Sequence, residues 1–138
     1  MKPVIQKETT GCAIASAAAI AGLSYEVVKA VANEMAIRAD DPSLWSETAH
    51  VRRLLNRLGF PSEEKEKPFT GWETLPDCAL LAIKWHLEKG KPFWHRVVFI
   101  REDGRQYVLD SKATLKNKVR TDFGRMKPKW FIEVEASS

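Results

Sequence analysis

The segment Cys12-Ala-Ile-Ala-Ser-Ala-Ala-Ala-Ile-Ala21 limits most strongly how this chain folds, because it favours helix and is apolar around nearly its whole circumference. A helix of that kind has no face for water, so it predicts central burial with other elements packed around it. Gly22 supplies its C-terminal stop, and the polar stretch from Gln6 to Gly11 leads into its start. The run is too short to span a bilayer. Lys7 and Glu8 precede it and no cleavage site follows, which argues against an export signal. The expectation is a cytoplasmic protein without membrane insertion.

The rest of the chain divides into helical and extended halves. Ser24 reads as the cap of a second helix, with Glu26 in its first turn and Val27, Val28, Val31 and Met35 as its inward stripe. The two helices should form a hairpin. Asp40, Asp41, Pro42 and Ser43 mark a loop, followed by a helix from Ser46 to Leu58 with Val51, Leu54, Leu55 and Leu58 facing inward and Gly59 closing it. Ser62 to Lys67 reads as a solvated connection. Beyond it, Cys78 to Trp85, Trp94 to Ile100, Gln106 to Asp110 and Trp130 to Glu135 are rich in branched and aromatic residues and read as antiparallel strands. Asp103-Gly104 is a two-residue hairpin turn. The 138 residues, 44% apolar, are enough for one domain with its own core. Helices first and strands later give an α+β class, with N-terminal helices packed on a C-terminal antiparallel β-sheet.

Cys12 stands where the polar loop becomes the alanine-rich helix, and unpaired N–H groups at a helix start favour a thiolate. Taken alone, it reads equally as a small buried residue. The hairpin adds to this. A two-residue turn at Asp103-Gly104 pairs Val97 with Asp110 and puts His95, Val97, Val108 and Asp110 on one face. His95 and Asp110 are then diagonal neighbours with Cβ atoms roughly 7–8 Å apart, a gap that one carboxylate–imidazole hydrogen bond closes. Asp110 would orient His95, whose other ring nitrogen would face Cys12. Gln6 lies one short loop before Cys12, where its amide N–H groups suit an oxyanion. His86 is the rival base, but Glu88 beside it reads as loop and no carboxylate faces it. His50 reads as helix surface and Cys78 as core strand.

Gln6 with Cys12 six positions on, Gly11-Cys12-Ala13 opening an alanine-rich helix, His95-Arg-Val-Val-Phe-Ile and Tyr107-Val-Leu-Asp110-Ser together resemble the papain-like cysteine peptidases related to the bacteriocin-processing, double-glycine-leader peptidases. The resemblance runs from Gln6 to Asp110. It implies a papain-like fold and a thiol-dependent hydrolase of peptide or amide bonds. Cys12 would be the nucleophile, His95 the base, Asp110 its orienting partner and Gln6 the oxyanion donor. The chain departs from the family's common pattern at three positions: Ala13 stands in place of glycine, Arg96 in place of an aromatic residue and Ser111 in place of proline.

Other classes draw less support from the residues. No Cys-x-x-Cys or clustered histidines accompany Cys12 and Cys78, so neither a metal nor another cofactor is expected. A Cys12–Cys78 disulfide stays open, although a reducing cytosol would leave both thiols free. A papain-like fold without activity that binds peptides through exposed tryptophans among Trp45, Trp72, Trp94 and Trp130 is the alternative function. The basic stretch Lys112 to Lys129, with Phe123 and Trp130, raises nucleic-acid binding, but no nucleic-acid motif accompanies it and such stretches are usually solvated faces. A net charge of +4 names no partner. The partner expected is a peptide or protein substrate.

Overall fold

The computed structural model describes residues 2–8, 10–41, 48–63, 65–112 and 118–135. It is an α+β protein with N-terminal helices and a six-stranded antiparallel sheet. Helix α1 (Cys12–Ala21) has every residue from Cys12 to Ile20 buried, as its all-round apolarity requires. Gly22 ends it in the left-handed conformation, φ 70°, donating its N–H to the Ala18 and Ala19 carbonyls. Helix α2 (Tyr25–Glu34) begins at Ser24, whose side chain accepts from the Val27 N–H. Its buried face is Tyr25, Val28 and Ala32. Val27, expected inside, is 49% exposed, because the buried stripe runs along Tyr25, Val28 and Ala32 at helical spacing and leaves Val27 off that face. Helix α3 (Ala49–Arg57) buries Val51, Leu54 and Leu55, and Gly59 follows at φ 90°. The expected helix start at Ser46, the turn residues Pro42 and Ser43, and Trp45 lie outside the described residues.

The sheet comprises β1 (Lys67–Pro68), β2 (Cys78–Glu88), β3 (Lys91–Glu102), β4 (Arg105–Leu109), β5 (Val119–Arg120) and β6 (Trp130–Glu133), in the order β1-β6-β2-β3-β4-β5. Asp103 and Gly104 both have positive φ, 51° and 73°, the geometry of a tight turn whose twist suits two adjacent strands. The ladder it sets runs from Glu102–Arg105 to Val98–Leu109. A second turn of the same kind, Lys89-Gly90 with φ 51° and 80°, joins β2 to β3. Glu88 therefore belongs to a strand and not to a loop. Ser62 to Lys67 also differs from a free connection: Ser62 bridges to Val134, and Lys67 pairs with Phe131 at the sheet edge. Charged residues are common on edge strands, which explains why this one reads as loop.

Alternation along β3 builds two cores. Val98 and Ile100 face the helices with Leu80, Leu109 and Ile132, whereas Val97 and Phe99 face away, beneath Trp72, Phe123 and Met126. Trp72 lies in a 3-10 turn (Trp72–Thr74) and the other two in a short helix, α4 (Phe123–Met126), which cap that side. Each fully buried leucine or phenylalanine in these layers contributes roughly 1.5–3 kcal/mol. The layers fix β3, and β3 carries the site.

Candidate active site

Three segments meet where the β3–β4 ladder ends. β4 stops at Leu109, and past the Val98–Leu109 pair the two strands separate. The N-terminal end of α1 packs into this opening, bringing Cys12 to His95 and Arg96 of β3. Gly11 precedes the helix because a Cβ there would stand 2.2 Å from the Tyr25 hydroxyl. That hydroxyl donates to Glu8 at 2.5 Å, and Lys29 Nζ holds the other Glu8 oxygen at 2.8 Å. Thr10 donates its hydroxyl to the Ala39 carbonyl. The loop into Cys12 is thus tied to α2 and to the segment beyond it.

The expected pair is present. His95 Nε2 and Asp110 Oδ1 are 2.7 Å apart, on the face shared with Val97 and Val108 that the turn register dictates. This contact leaves Nδ1 as the ring nitrogen toward Cys12, with which His95 also hydrogen-bonds. Asp110 has no solvent exposure, and Arg120 Nη1 binds its other oxygen at 3.0 Å while the Lys112 N–H donates to Oδ1 at 3.1 Å. Burial by itself would raise the Asp110 carboxyl, but the hydrogen bond and charge of His95, with the Lys112 N–H and Arg120, bring it down to about 2. Burial likewise opposes charge on His95, and Asp110 and Cys12 outweigh it, lifting the imidazole to about 9.

Cys12 follows the same logic with the opposite sign of charge. Burial pushes the thiol up, yet the hydrogen bond and charge of His95, followed by Arg96, hold it at about 7. With the thiol at about 7 and the imidazole at about 9, the pair favours thiolate and imidazolium between those values. The sulfur is fully buried, and the His95 side chain, 13% exposed, is the part of the pair that reaches solvent.

Gln6 lies beside this pair through Ser111, the residue after Asp110. The Gln6 N–H donates to the Ser111 carbonyl at 2.9 Å, and Ser111 Oγ donates to Gln6 Oε1 at 2.7 Å. The Gln6 amide nitrogen donates to the Glu8 carbonyl at 3.1 Å. Ser111 thereby fixes which end of the amide is donor. The position read as a departure from the common pattern holds the glutamine in one orientation.

Arg96 is the site residue that strand reading missed. It is 1% exposed, on the helix-facing side of β3, with Cζ 5.5 Å from the Trp94 ring centroid. Both its main-chain N–H and its guanidinium reach the Cys12 sulfur. Its signal in the sequence was a lone cation at an inward strand position, next to the histidine. His86 is excluded from this cluster by position: it is exposed on the β2–β3 hairpin, with Nδ1 on the Lys84 carbonyl at 2.8 Å and its ring stacked on Phe93. His50 is not on a helix surface but buried, 6% exposed, because α3 turns that side toward Arg96. Cys78 is buried in β2 and, like Cys12, is a free thiol.

Comparison of the chain with protein-family models, with curated proteins and with solved structures gave no match.

Proposed function

We propose that the protein is a papain-like, thiol-dependent hydrolase of peptide or amide bonds. The observation that carries this reading is the chain of contacts from Cys12, at the start of a helix, through His95 to the buried carboxylate of Asp110. Such a chain supplies nucleophile, base and orienting group in the order that acyl transfer needs. The Cys12 thiolate attacks the carbonyl carbon, and the carbonyl electron pair moves onto oxygen. The Cys12 N–H and the Gln6 side chain donate to that oxyanion, and one such donor is typically worth 100-fold or more in rate. His95⁺ then protonates the departing amine as the C–N bond breaks. Neutral His95 takes a proton from water, which hydrolyses the thioester and restores the pair. Deamidation and acyl transfer to another amine use the same steps with a different bond or acceptor.

A peptide carrying an electrophilic vinyl sulfone tests the reading. It should form a covalent adduct on Cys12 of the wild type and on neither Cys12→Ala nor His95→Ala, alongside measurable cleavage of peptide amides by the wild type. A folded wild type that binds the peptide but stays unmodified would replace the enzyme with a silent peptide-binding domain.

A further inference from the structure

Among the described residues, β2 beyond Ala82 and β3 before Val98 pair only with each other, because β6 ends its pairing at Ala82 and β4 at Val98. The result is a two-stranded ribbon closed by the Lys89-Gly90 turn, with β2 exposed from Lys84 to Glu88. Its pairs are His86–Phe93, Leu87–Pro92 and Glu88–Lys91. Alternation gives the ribbon two unlike faces. One carries Trp85 and Leu87, 38% and 58% exposed, with Pro92 across from Leu87. The other carries His86, stacked on Phe93 with ring centroids 6.1 Å apart, and Glu88, whose carboxylate is 3.5 Å from His86 Nε2.

Of the large hydrophobic residues described, Leu87 is the most exposed, and Trp85 stands two positions from it on the same side. Isolated apolar residues on a surface need no explanation, but two side by side on a protruding hairpin leave apolar area in water that a partner would remove. Cations surround them. Lys89 stands in the turn, Lys91 follows it, and Lys129 Nζ lies 4.7 Å from the Trp85 ring centroid. The Lys129 N–H donates to the Ala82 carbonyl at 2.8 Å, which holds that residue at the base of the ribbon. Glu88, the only acid from Lys84 to Phe93, is on the far face and turned to His86.

Shape and chemistry together select among anionic partners. Single-stranded nucleic acid binds through open ring faces, but Lys129 already lies over Trp85 and His86 over Phe93, and Leu87 has no counterpart on a phosphate backbone. A convex hairpin tip offers no groove for a peptide. An anionic lipid surface presents both chemistries in layers: headgroups for the ammonium groups, the acyl boundary for Leu87, and the level between them for the Trp85 indole. We propose that the β2–β3 ribbon docks the protein on anionic lipid surfaces, seating Leu87 and Trp85 at the headgroup boundary while Lys89, Lys91 and Lys129 engage the headgroups. The chain then lies on the bilayer and does not cross it. The opposite face, which carries Phe93 and His95, stays clear of the lipid. This inference is independent of the hydrolase reading.

The test is co-sedimentation of the protein at low ionic strength with vesicles of phosphatidylserine and phosphatidylcholine in equal parts, with phosphatidylcholine alone as the neutral control. The wild type should pellet with the mixed vesicles and not with the neutral ones, and added salt should release it. Leu87→Glu should weaken binding by about tenfold or more, and Lys89→Gln combined with Lys91→Gln by about tenfold. All three side chains are exposed, so the variants should keep the wild-type circular dichroism. A wild type that stays in solution with the mixed vesicles overturns the proposal. So does vesicle binding that Leu87→Glu leaves unchanged, which would be adhesion by charge alone. Binding of oligothymidylate in place of vesicles, lost in the lysine variant and unaltered in Leu87→Glu, would overturn it in favour of nucleic acid.

Discussion

Cys12 and Cys78 are both buried, His50 is buried and His95 is mostly so, yet within each pair the two residues are driven in opposite directions. Burial alone lifts the Cys78 thiol to about 12, whereas Cys12 sits at about 7. Burial, followed by the charge of Arg96, depresses His50 to about 3, while His95 rises to about 9. Removal from water is common to all four. What separates them is whether an opposite charge stands in hydrogen-bond contact. At one end of β3 each charged form has a partner, whereas Cys78 and His50 keep the neutral form that burial favours.

The contrast between the thiols is the easiest part to break. At neutral pH about half of Cys12 and roughly one part in 100,000 of Cys78 would be thiolate, so alkylation should favour Cys12 by about 10,000-fold or more. Peptide mapping after mild iodoacetamide treatment near pH 7 gives the ratio. Comparable labelling of both would erase the distinction. The two histidines come next: His95→Ala should lower kcat/KM for a cleaved peptide by about 100- to 10,000-fold, and His50→Leu by no more than a few-fold. Steady-state kinetics of the two variants decides it.

Stability sharpens the same comparison. His50 is a base with a folded value of about 3 against the ordinary 6.5, so the unfolded chain binds more protons between those values. Its contribution is present above about pH 6.5 and is lost as pH falls toward 3. His50→Leu should remove that pH dependence, about 4 to 5 kcal/mol across the window, as read from urea unfolding. Asp110, an acid depressed to about 2 from 3.8, loses its contribution only at lower pH. Between about 7 and 9 the folded site has released a proton from Cys12 and kept one on His95, while the unfolded chain does the reverse. The two offset, and the site itself adds little pH dependence there. The smallest effect expected is at Ser111. Ser111→Ala removes the hydrogen bond that orients Gln6, and should lower kcat a few-fold with about 1 kcal/mol lost in stability, read from kinetics and denaturation together.

Features set by local chemistry were legible before any coordinates. Gly22 and Ser24 delimit helices through backbone conformation and capping, and Asp103-Gly104 fixes a register that brings His95 to Asp110. Elements whose logic is tertiary were not. The Lys89-Gly90 turn is embedded in Leu87-Glu-Lys-Gly-Lys-Pro92, where charge obscures two paired strands. The shift in β2–β3 pairing between Ile83 and His86, with Lys84 at φ 55°, has no turn residue to announce it. Lys67 reads as solvated because an edge strand can be both charged and paired. His50 precedes Arg52 and Arg53 and so reads as surface, although the helix turns it inward. Arg96 escaped because it acts on a sulfur 84 positions away, in another half of the chain. Ser111 escaped for a similar reason: its hydroxyl serves Gln6, 105 positions earlier.

The most direct measurement is the ultraviolet thiolate absorbance of the native protein as a function of pH, taken as the difference between wild type and Cys12→Ser. A thiolate that appears with a midpoint near 7 and moves to higher pH in His95→Ala is the predicted result. A difference spectrum that shows no thiolate until the pH exceeds that of an ordinary thiol, about 8.5 to 9, would contradict the account.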